Sequence, residues 1–199
     1  MAYEPVVIAC PDGCDDDLLP VSFDDCAPEP SASEINKIYI AAGGAADFTD
    51  YSDPTEWASR LSQDGTVPDG STFLAIDLIR EVTVIADKPA PSTTSKDLSN
   101  NRTIDVQDAY VINITVDEFN AINQEFFQAM NCGTKVKLWY GTLGGKLFGG
   151  NTGRKAQVKL KPVLGRGNTE IATFVGTANW KTVPTDFDDF ITNPIGTDA

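Results

Sequence analysis

The chain has 199 residues, a formal net charge of −14 and no histidine. A strongly acidic protein repels nucleic acid and anionic membranes, which argues against sequence-specific DNA binding. Without histidine the chain cannot build Ser-His-Asp, Cys-His or HExxH sites, and no motif brings a nucleophile and a base together. We therefore predict that the protein is not an enzyme.

The first part of the chain, residues 1–34, is rich in cysteine, aspartate and proline, which predicts an irregular segment. It lacks the basic and long apolar regions of a signal peptide, so we expect the protein to be made and assembled in a cytosol. No stretch has the ~20 consecutive apolar residues that a membrane-spanning helix needs, so no membrane contact is expected.

The cysteines are the candidate metal ligands. Four thiolates could hold a structural zinc ion, although the C-x3-C-x11-C spacing of the first three matches no tight zinc signature. Disulfides are an alternative, and free thiols in a reducing cytosol are the outcome that we favour. The residues concerned are Cys10, Cys14, Cys26 and Cys132.

Strands dominate the predicted elements. Apolar alternation predicts strands over 35–41, 73–86 and 103–116, and several more with short glycine turns after Gly133. Between the second and third strands, proline, serine and asparagine favour a long loop over about 88–102.

Two helices interrupt the strands. The shorter is predicted over about 54–63, with Asp53 as its cap and Glu56 completing a capping box. The longer is predicted over about 117–131, with Asp117 as its cap and an apolar stripe at helical spacing. The stripe consists of Phe119, Ile122, Phe126 and Met130.

These elements predict a mainly β fold, a β-sandwich or barrel with one packed α-helix. The predicted β domain covers residues 35–183, and residues 184–199 form an acidic C-terminal tail. Charge is segregated along the chain, with thirteen acids and two bases from Met1 to Arg60, and eight bases and no acid from Thr134 to Arg166. This polarity favours head-to-tail assembly, in which an acidic region of one copy faces a basic region of the next.

The second half of the chain resembles the tail tube (major tail) proteins of tailed bacteriophages. The resemblance lies in a strand, a capped helix, Gly-x-x-Val-x-Leu-Trp, a hairpin and two strands, over Tyr110–Asn151 and Thr177–Thr185. The Cys10–Cys14 turn and the IREVTVIADKPAPS stretch (79–92) are similar to virion proteins from phages and prophages of Bacteroidetes-type hosts.

The resemblance implies a subunit that assembles with itself into stacked, hexameric rings in the virion tail, after synthesis in the host cytoplasm. The long loop 88–102 would reach a neighbouring ring or subunit, other tail or neck proteins would be further partners, and DNA would pass an acidic lumen without specific binding. Basic residues would face acidic neighbours at subunit interfaces. The candidates are Lys135, Lys137, Lys159, Lys161, Lys96 and Arg102.

Two other functions stay open. Another virion structural protein, such as a capsid decoration or head–tail connector subunit, can use a similar β fold. A carbohydrate- or metal-binding β-sandwich module would need an exposed aromatic platform. Its candidate residues are Trp57, Trp139, Trp180 and Tyr140.

Overall fold

The described part of the chain is built mainly from β-strands, which confirms the predicted fold class. The computed structural model describes residues 34–87, 89–100, 102–131, 135–165, 171–181 and 190–195. A short 3-10 helix, Ala75–Asp77, lies in the range predicted as one long strand. In chain order the strands and α-helices are β1 (Ile35–Ala42), α1 (Pro54–Arg60), β2 (Ile79–Ala86), β3 (Ala90–Leu98), β4 (Arg102–Val116), α2 (Ala121–Asn131), β5 (Lys135–Thr142), β6 (Lys146–Phe148), β7 (Arg154–Val163), β8 (Thr173–Trp180) and β9 (Phe190–Thr192).

Six of the described strands close on themselves. Their order is β1-β2-β4-β8-β7-β5, and β1 pairs with β5 as well as with β2. Each neighbouring pair is antiparallel. Strands β3, β6 and β9 lie outside this closed set and pair with β4, β5 and β6 respectively. Closure reduces the number of free strand edges, as in a barrel.

The interior of the closed set is apolar because successive side chains of a strand point to opposite faces. In β4, Ile112, Ile114 and Val116 are buried, whereas Asn113 between them is exposed. Strand β7 alternates in the same way, with Ala156, Val158 and Leu160 buried, whereas β5 is buried on both faces from Val136 to Thr142. The buried cluster contains Ile35, Ile38, Ile40, Val84, Ala86, Ile112, Ile114, Val116, Phe127, Met130, Val136, Leu138, Tyr140, Ala156, Val158, Leu160, Phe174, Ala178 and Trp180.

Helix α2 begins later than the sequence predicts. The predicted range starts near residue 117 with Asp117 as its cap, but the helix begins at Ala121. Asn120 caps it, because the Asn120 Oδ1 accepts a hydrogen bond from the backbone N–H of Asn123 at 2.8 Å. Both residues can cap a helix, and the choice depends on tertiary contacts that the sequence does not show.

The buried face of α2 also differs from the predicted stripe. Phe127 and Met130 are its buried residues, whereas Ile122 is 78% exposed. The Phe127 ring packs against Phe174 of β8, with centroids 4.9 Å apart. At 100° per residue, a helix that turns Phe127 inward leaves Ile122 pointing away, so the predicted stripe was wrong at Ile122.

The C-terminal end of α2 completes the hydrogen bonding of β7. Strand β5 pairs with β7 only over Arg154–Gln157, so Leu160 lies beyond the end of that ladder. The Asn131 Nδ2 donates to the Leu160 carbonyl at 2.7 Å, and the Leu160 N–H donates to the Asn131 Oδ1 at 3.1 Å. One side-chain amide thus replaces the missing strand residue.

Replacing Asn131 with alanine is expected to lower the free energy of unfolding by about 1–3 kcal/mol, because both backbone groups of Leu160 lose their partner. Urea unfolding would measure the change. The exposed Glu125 on the same helix is the matched control, and Glu125→Ala should change stability by no more than about 0.5 kcal/mol. Equal effects of the two substitutions would contradict this role for Asn131.

Residues 43–61, called the cover here, lie over the outer faces of β1 and β5. Trp57 of α1 and Trp139 of β5 meet edge to face, with ring centroids 5.8 Å apart. Phe48 contacts both, with centroids 4.4 Å from Trp57 and 5.4 Å from Trp139. This second buried cluster contains Tyr39, Ala41, Ala45, Phe48, Tyr51, Trp57, Ile79, Trp139 and Leu147.

Helix α1 starts where the sequence predicts and ends three residues early, at Arg60. The Asp53 side chain caps it by accepting from the Thr55 N–H at 2.8 Å. Glu56 does not form the predicted capping box. Its carboxylate instead accepts from the backbone N–H groups of Thr49 and Asp50, at 3.1 and 3.2 Å. It therefore orders the preceding turn of the cover.

The prediction of a long loop over about 88–102 was wrong, because residues 90–98 form strand β3. Strand β3 pairs with β4 from Ala90↔Val111 to Leu98↔Arg102, and β2 pairs with β4 at Ile85↔Thr115. Strands β2 and β3 thus lie successively along β4, as two parts of one long hairpin. The ladder to β4 compensates for the loop-like composition, which shows how strongly strand propensity depends on context.

Candidate interface for self-assembly

The hairpin of β3 and β4 extends beyond the closed strands. Strand β8 pairs with β4 from Tyr110 to Val116, whereas Arg102–Ala109 of β4 pairs with β3 among the described residues. We call β3 together with residues 102–109 the arm. Its described side chains over 95–100 and 102–104 are exposed. The arm therefore has an extended surface that the described part of its own chain does not cover.

One face of the arm combines apolar and basic side chains. The register pairs Lys96 with Ile104 and Leu98 with Arg102, and strand alternation then places all four on the same face. Leu98 is 40% exposed and Ile104 is 44% exposed. Two of the predicted interface residues, Lys96 and Arg102, thus lie beside exposed apolar side chains. Aliphatic and cationic groups together fit an acidic, partly apolar protein surface.

A second feature is a basic concavity of about 590 Å³ where the first residues of β5 and β7 meet the end of β8. Lys135 opens β5, Arg154 and Lys155 open β7, and Lys181 follows β8. The register brings these strands together, because Gln157 pairs with both Lys135 and Asn179. The described lining residues include these four cations and no carboxylate.

Tyr140 lies close to this cationic group but cannot act as a base near neutral pH. Burial raises the pKa of its phenol to about 12, although the positive charge of Arg154 acts in the opposite direction. The phenol therefore stays protonated. The concavity can attract an anion electrostatically, and the described residues that line it include no carboxylate, cysteine or histidine to abstract a proton.

The remaining predicted interface residues fall in three environments. Lys135 lines the concavity, and Lys159 and Lys161 lie exposed on the outer face of β7. Lys137 is buried beneath the cover, where its Nζ donates to the Ala45 carbonyl at 2.6 Å and pairs with Asp47. Its charge is thus matched within the chain, so Lys137 is unsuited to an exposed interface.

Acidic side chains lie at the opposite end of β4. Asp117 and Glu118 follow this strand directly and are exposed. Glu118 also lines a cleft of about 600 Å³ between β2 and the start of α2, together with Asp64 and Glu81. From Tyr110 to Val116, β4 rises about 20 Å at ~3.3 Å per residue. The basic concavity and these acids therefore mark two ends of one strand.

Sequence reasoning included Arg154 and Lys155 in the basic stretch but did not select them as interface residues, and it missed Lys181. The signal for Lys181 was weak, because a single lysine after a strand has no distinctive spacing. Only the strand register, with β8 next to β7, brings it to the other cations.

The predicted metal ligands Cys10, Cys14, Cys26 and Cys132 lie outside the described residues. Zinc binding, disulfides and free thiols thus stay predictions. Among the residues that the structure describes, no group of three or more Cys, Asp or Glu side chains could hold a metal ion.

Comparison with protein-family models, with curated proteins and with solved structures finds no match to this chain. Within the described ranges, no helix is both long enough and apolar enough to cross a bilayer.

Proposed function

We propose that the protein is a structural subunit of a phage virion, a tail tube protein that assembles with itself into stacked rings and forms an acidic conduit for DNA. The arm is the observation that carries this proposal. A strand pair that extends beyond its own closed sheet, with exposed Leu98 and Ile104, has the form of an intermolecular contact. In this proposal the arm packs on a neighbouring copy.

The order of elements supports the same function. A strand, a helix and a hairpin follow one another in β4, α2, β5 and β6, which is the order on which the resemblance to tail tube proteins rests. The formal net charge of −14 suits a lumen along which DNA moves without binding, because like charges repel.

The aromatic residues disfavour a carbohydrate-binding module. Trp57 and Trp139 are fully buried, and Trp180 and Tyr140 are also buried within the chain. They pack against the cover or the interior of the closed strands, so these four residues form no exposed platform. A carbohydrate-binding module would therefore lack the exposed aromatic surface that the sequence suggested for it.

Electron microscopy of the purified protein tests the proposal. The wild type is expected to form long hollow tubes as its concentration is raised. The double variant L98D/I104D should remain unassembled, because two carboxylates replace the apolar side chains of the arm face. This double variant and the wild type should unfold at similar urea concentrations, because Leu98 and Ile104 are exposed.

The control variant carries the same change at Leu74, an exposed leucine outside the arm, and L74D should assemble like the wild type. Wild-type protein that stays monomeric at millimolar concentration would overturn the proposed function. Tubes formed equally well by L98D/I104D would show that the arm is not the contact.

A further inference from the structure

The basic concavity carries a more specific inference, which rests on the proposed function. Lys135, Arg154, Lys155 and Lys181 converge on a volume of about 590 Å³. Within the described ranges, Lys135, Lys155 and Lys181 form no ion pair, unlike Lys137, which pairs with Asp47. Converging like charges repel one another, so an anion in the concavity would lower the electrostatic free energy.

The chain itself offers an occupant of the right charge. Asp117 and Glu118 are exposed, form no ion pair with the described residues, and follow the end of β4 that lies away from the concavity. Lys181 follows Trp180, which pairs with Tyr110, while Asp117 follows Val116, which pairs with Phe174. The two charged groups thus lie about 26 Å apart along the strand direction, eight residues at ~3.3 Å per residue.

We propose that the concavity receives Asp117 and Glu118 of a second copy of this chain, in a head-to-tail contact. Each copy would use a different surface for its two neighbours, since the acids and the concavity lie at opposite ends of β4. Such a heterologous contact can repeat, and it either closes a ring or continues along a stack. The contact supplies an electrostatic component of assembly that is separate from the arm.

Two charge-reversed variants test this contact by sedimentation velocity. K135E/K155E/K181E reverses three of the four cations and gives the basic end a net negative charge, and D117K/E118K reverses the acidic end. Each variant alone presents like charges at the contact and should associate at least about tenfold more weakly than the wild type. In an equimolar mixture, an assembly that alternates the two variants has opposite charges at every junction, so association should return. Raising the salt from 0.1 to 1 M should weaken wild-type association, because the screening length falls from ~10 to ~3 Å.

The control variant K146E reverses the charge of a lysine in β6, which lies outside the concavity and is not among the predicted interface residues. It should associate as the wild type does. Failure of the mixture to restore association, or an equal loss in the control, would overturn the inference.

The result also separates this inference from the proposed function. Tubes that form normally from K135E/K155E/K181E would remove the concavity from the interface and leave the tail tube proposal intact. A wild-type protein that never associates would overturn both.

Discussion

Replacing Trp139 with alanine is expected to lower the free energy of unfolding by about 3–5 kcal/mol, the usual cost of removing a large buried aromatic side chain. Trp139 is fully buried, and its Nε1 donates to the Gly150 carbonyl at 2.8 Å. The ring also packs edge to face against Phe48 and Trp57 of the cover. The substitution removes this packing and leaves a buried carbonyl without its donor.

The turn between β6 and β7 leaves little room for an alternative packing at this position. A Cβ added at Gly149 would lie 2.3 Å from the Trp139 ring, and one at Gly153 would lie 2.7 Å from it. Both glycines also have positive φ, 137° and 66°, a backbone conformation that side chains disfavour. The close fit means that the site cannot collapse onto a smaller residue without moving this turn.

Trp139→Phe separates the contribution of ring packing from that of the hydrogen bond to the Gly150 carbonyl. It keeps much of the apolar volume and loses the hydrogen bond, so it should cost less than Trp139→Ala. Phe190→Ala is the control, because Phe190 is half exposed and its loss should cost well under 3 kcal/mol. Equilibrium urea unfolding gives all three values, and a cost below about 1 kcal/mol for Trp139→Ala would show that the site repacks.

Part of the fold follows from local patterns that a sequence displays. The apolar alternation of Ile112, Ile114 and Val116 and the start of α1 at Pro54 are set by neighbours within a few residues. Strand periodicity and helix capping are local effects, so these features could be predicted.

The arm could not be predicted in the same way. Its strand β3 has the serine, threonine and proline content of a loop and is held by its ladder to β4. Closure of the sheet depends on the pairing of β1 with β5, about 100 residues apart along the chain. No local signal specifies such a pairing, because its free energy comes from contacts distant in sequence.

The residues of the basic concavity could likewise be predicted only in part from the sequence. The basic stretch identified Lys135 as an interface candidate, but it did not distinguish Lys135 from Lys137. A shift of one residue in register would move a side chain to the other face of a strand. Lys135 and Lys137 are two residues apart and share a face of β5. The difference in their burial therefore comes from the cover alone. Lys137 is buried beneath the cover and pairs with Asp47, whereas Lys135 lies at the concavity.

Replacing Arg60 with methionine is expected to lower the free energy of unfolding by about 3–5 kcal/mol, because it removes one partner of a buried charge network. Arg60 is fully buried. Its guanidinium donates to the Ala46 carbonyl at 2.6 Å and to the Asp77 carbonyl at 3.2 Å. It also pairs with Glu56 at 3.5 Å. Methionine matches much of the side-chain volume but satisfies none of these acceptors.

The surroundings of Arg60 support the charged form despite its burial. Desolvation lowers the pKa of the guanidinium, while the nearby Glu56 and Asp77 carboxylates raise it. Phe48 and Phe73 also lie near the cation, with ring centroids 4.3 and 4.9 Å from its central carbon. Removing the guanidinium therefore disturbs aromatic packing as well as hydrogen bonding.

Arg60→Lys should rescue only part of the loss, because an ammonium cannot reproduce the planar fork that reaches two carbonyls. Arg102→Met is the matched control, since Arg102 is exposed on the arm, and it should change stability by no more than about 0.5 kcal/mol. Urea unfolding of the three variants measures these differences. If Arg60→Met proved as stable as the wild type, apolar packing alone would hold α1 on the sheet. The cover would then keep Asp47 paired with Lys137 without the guanidinium.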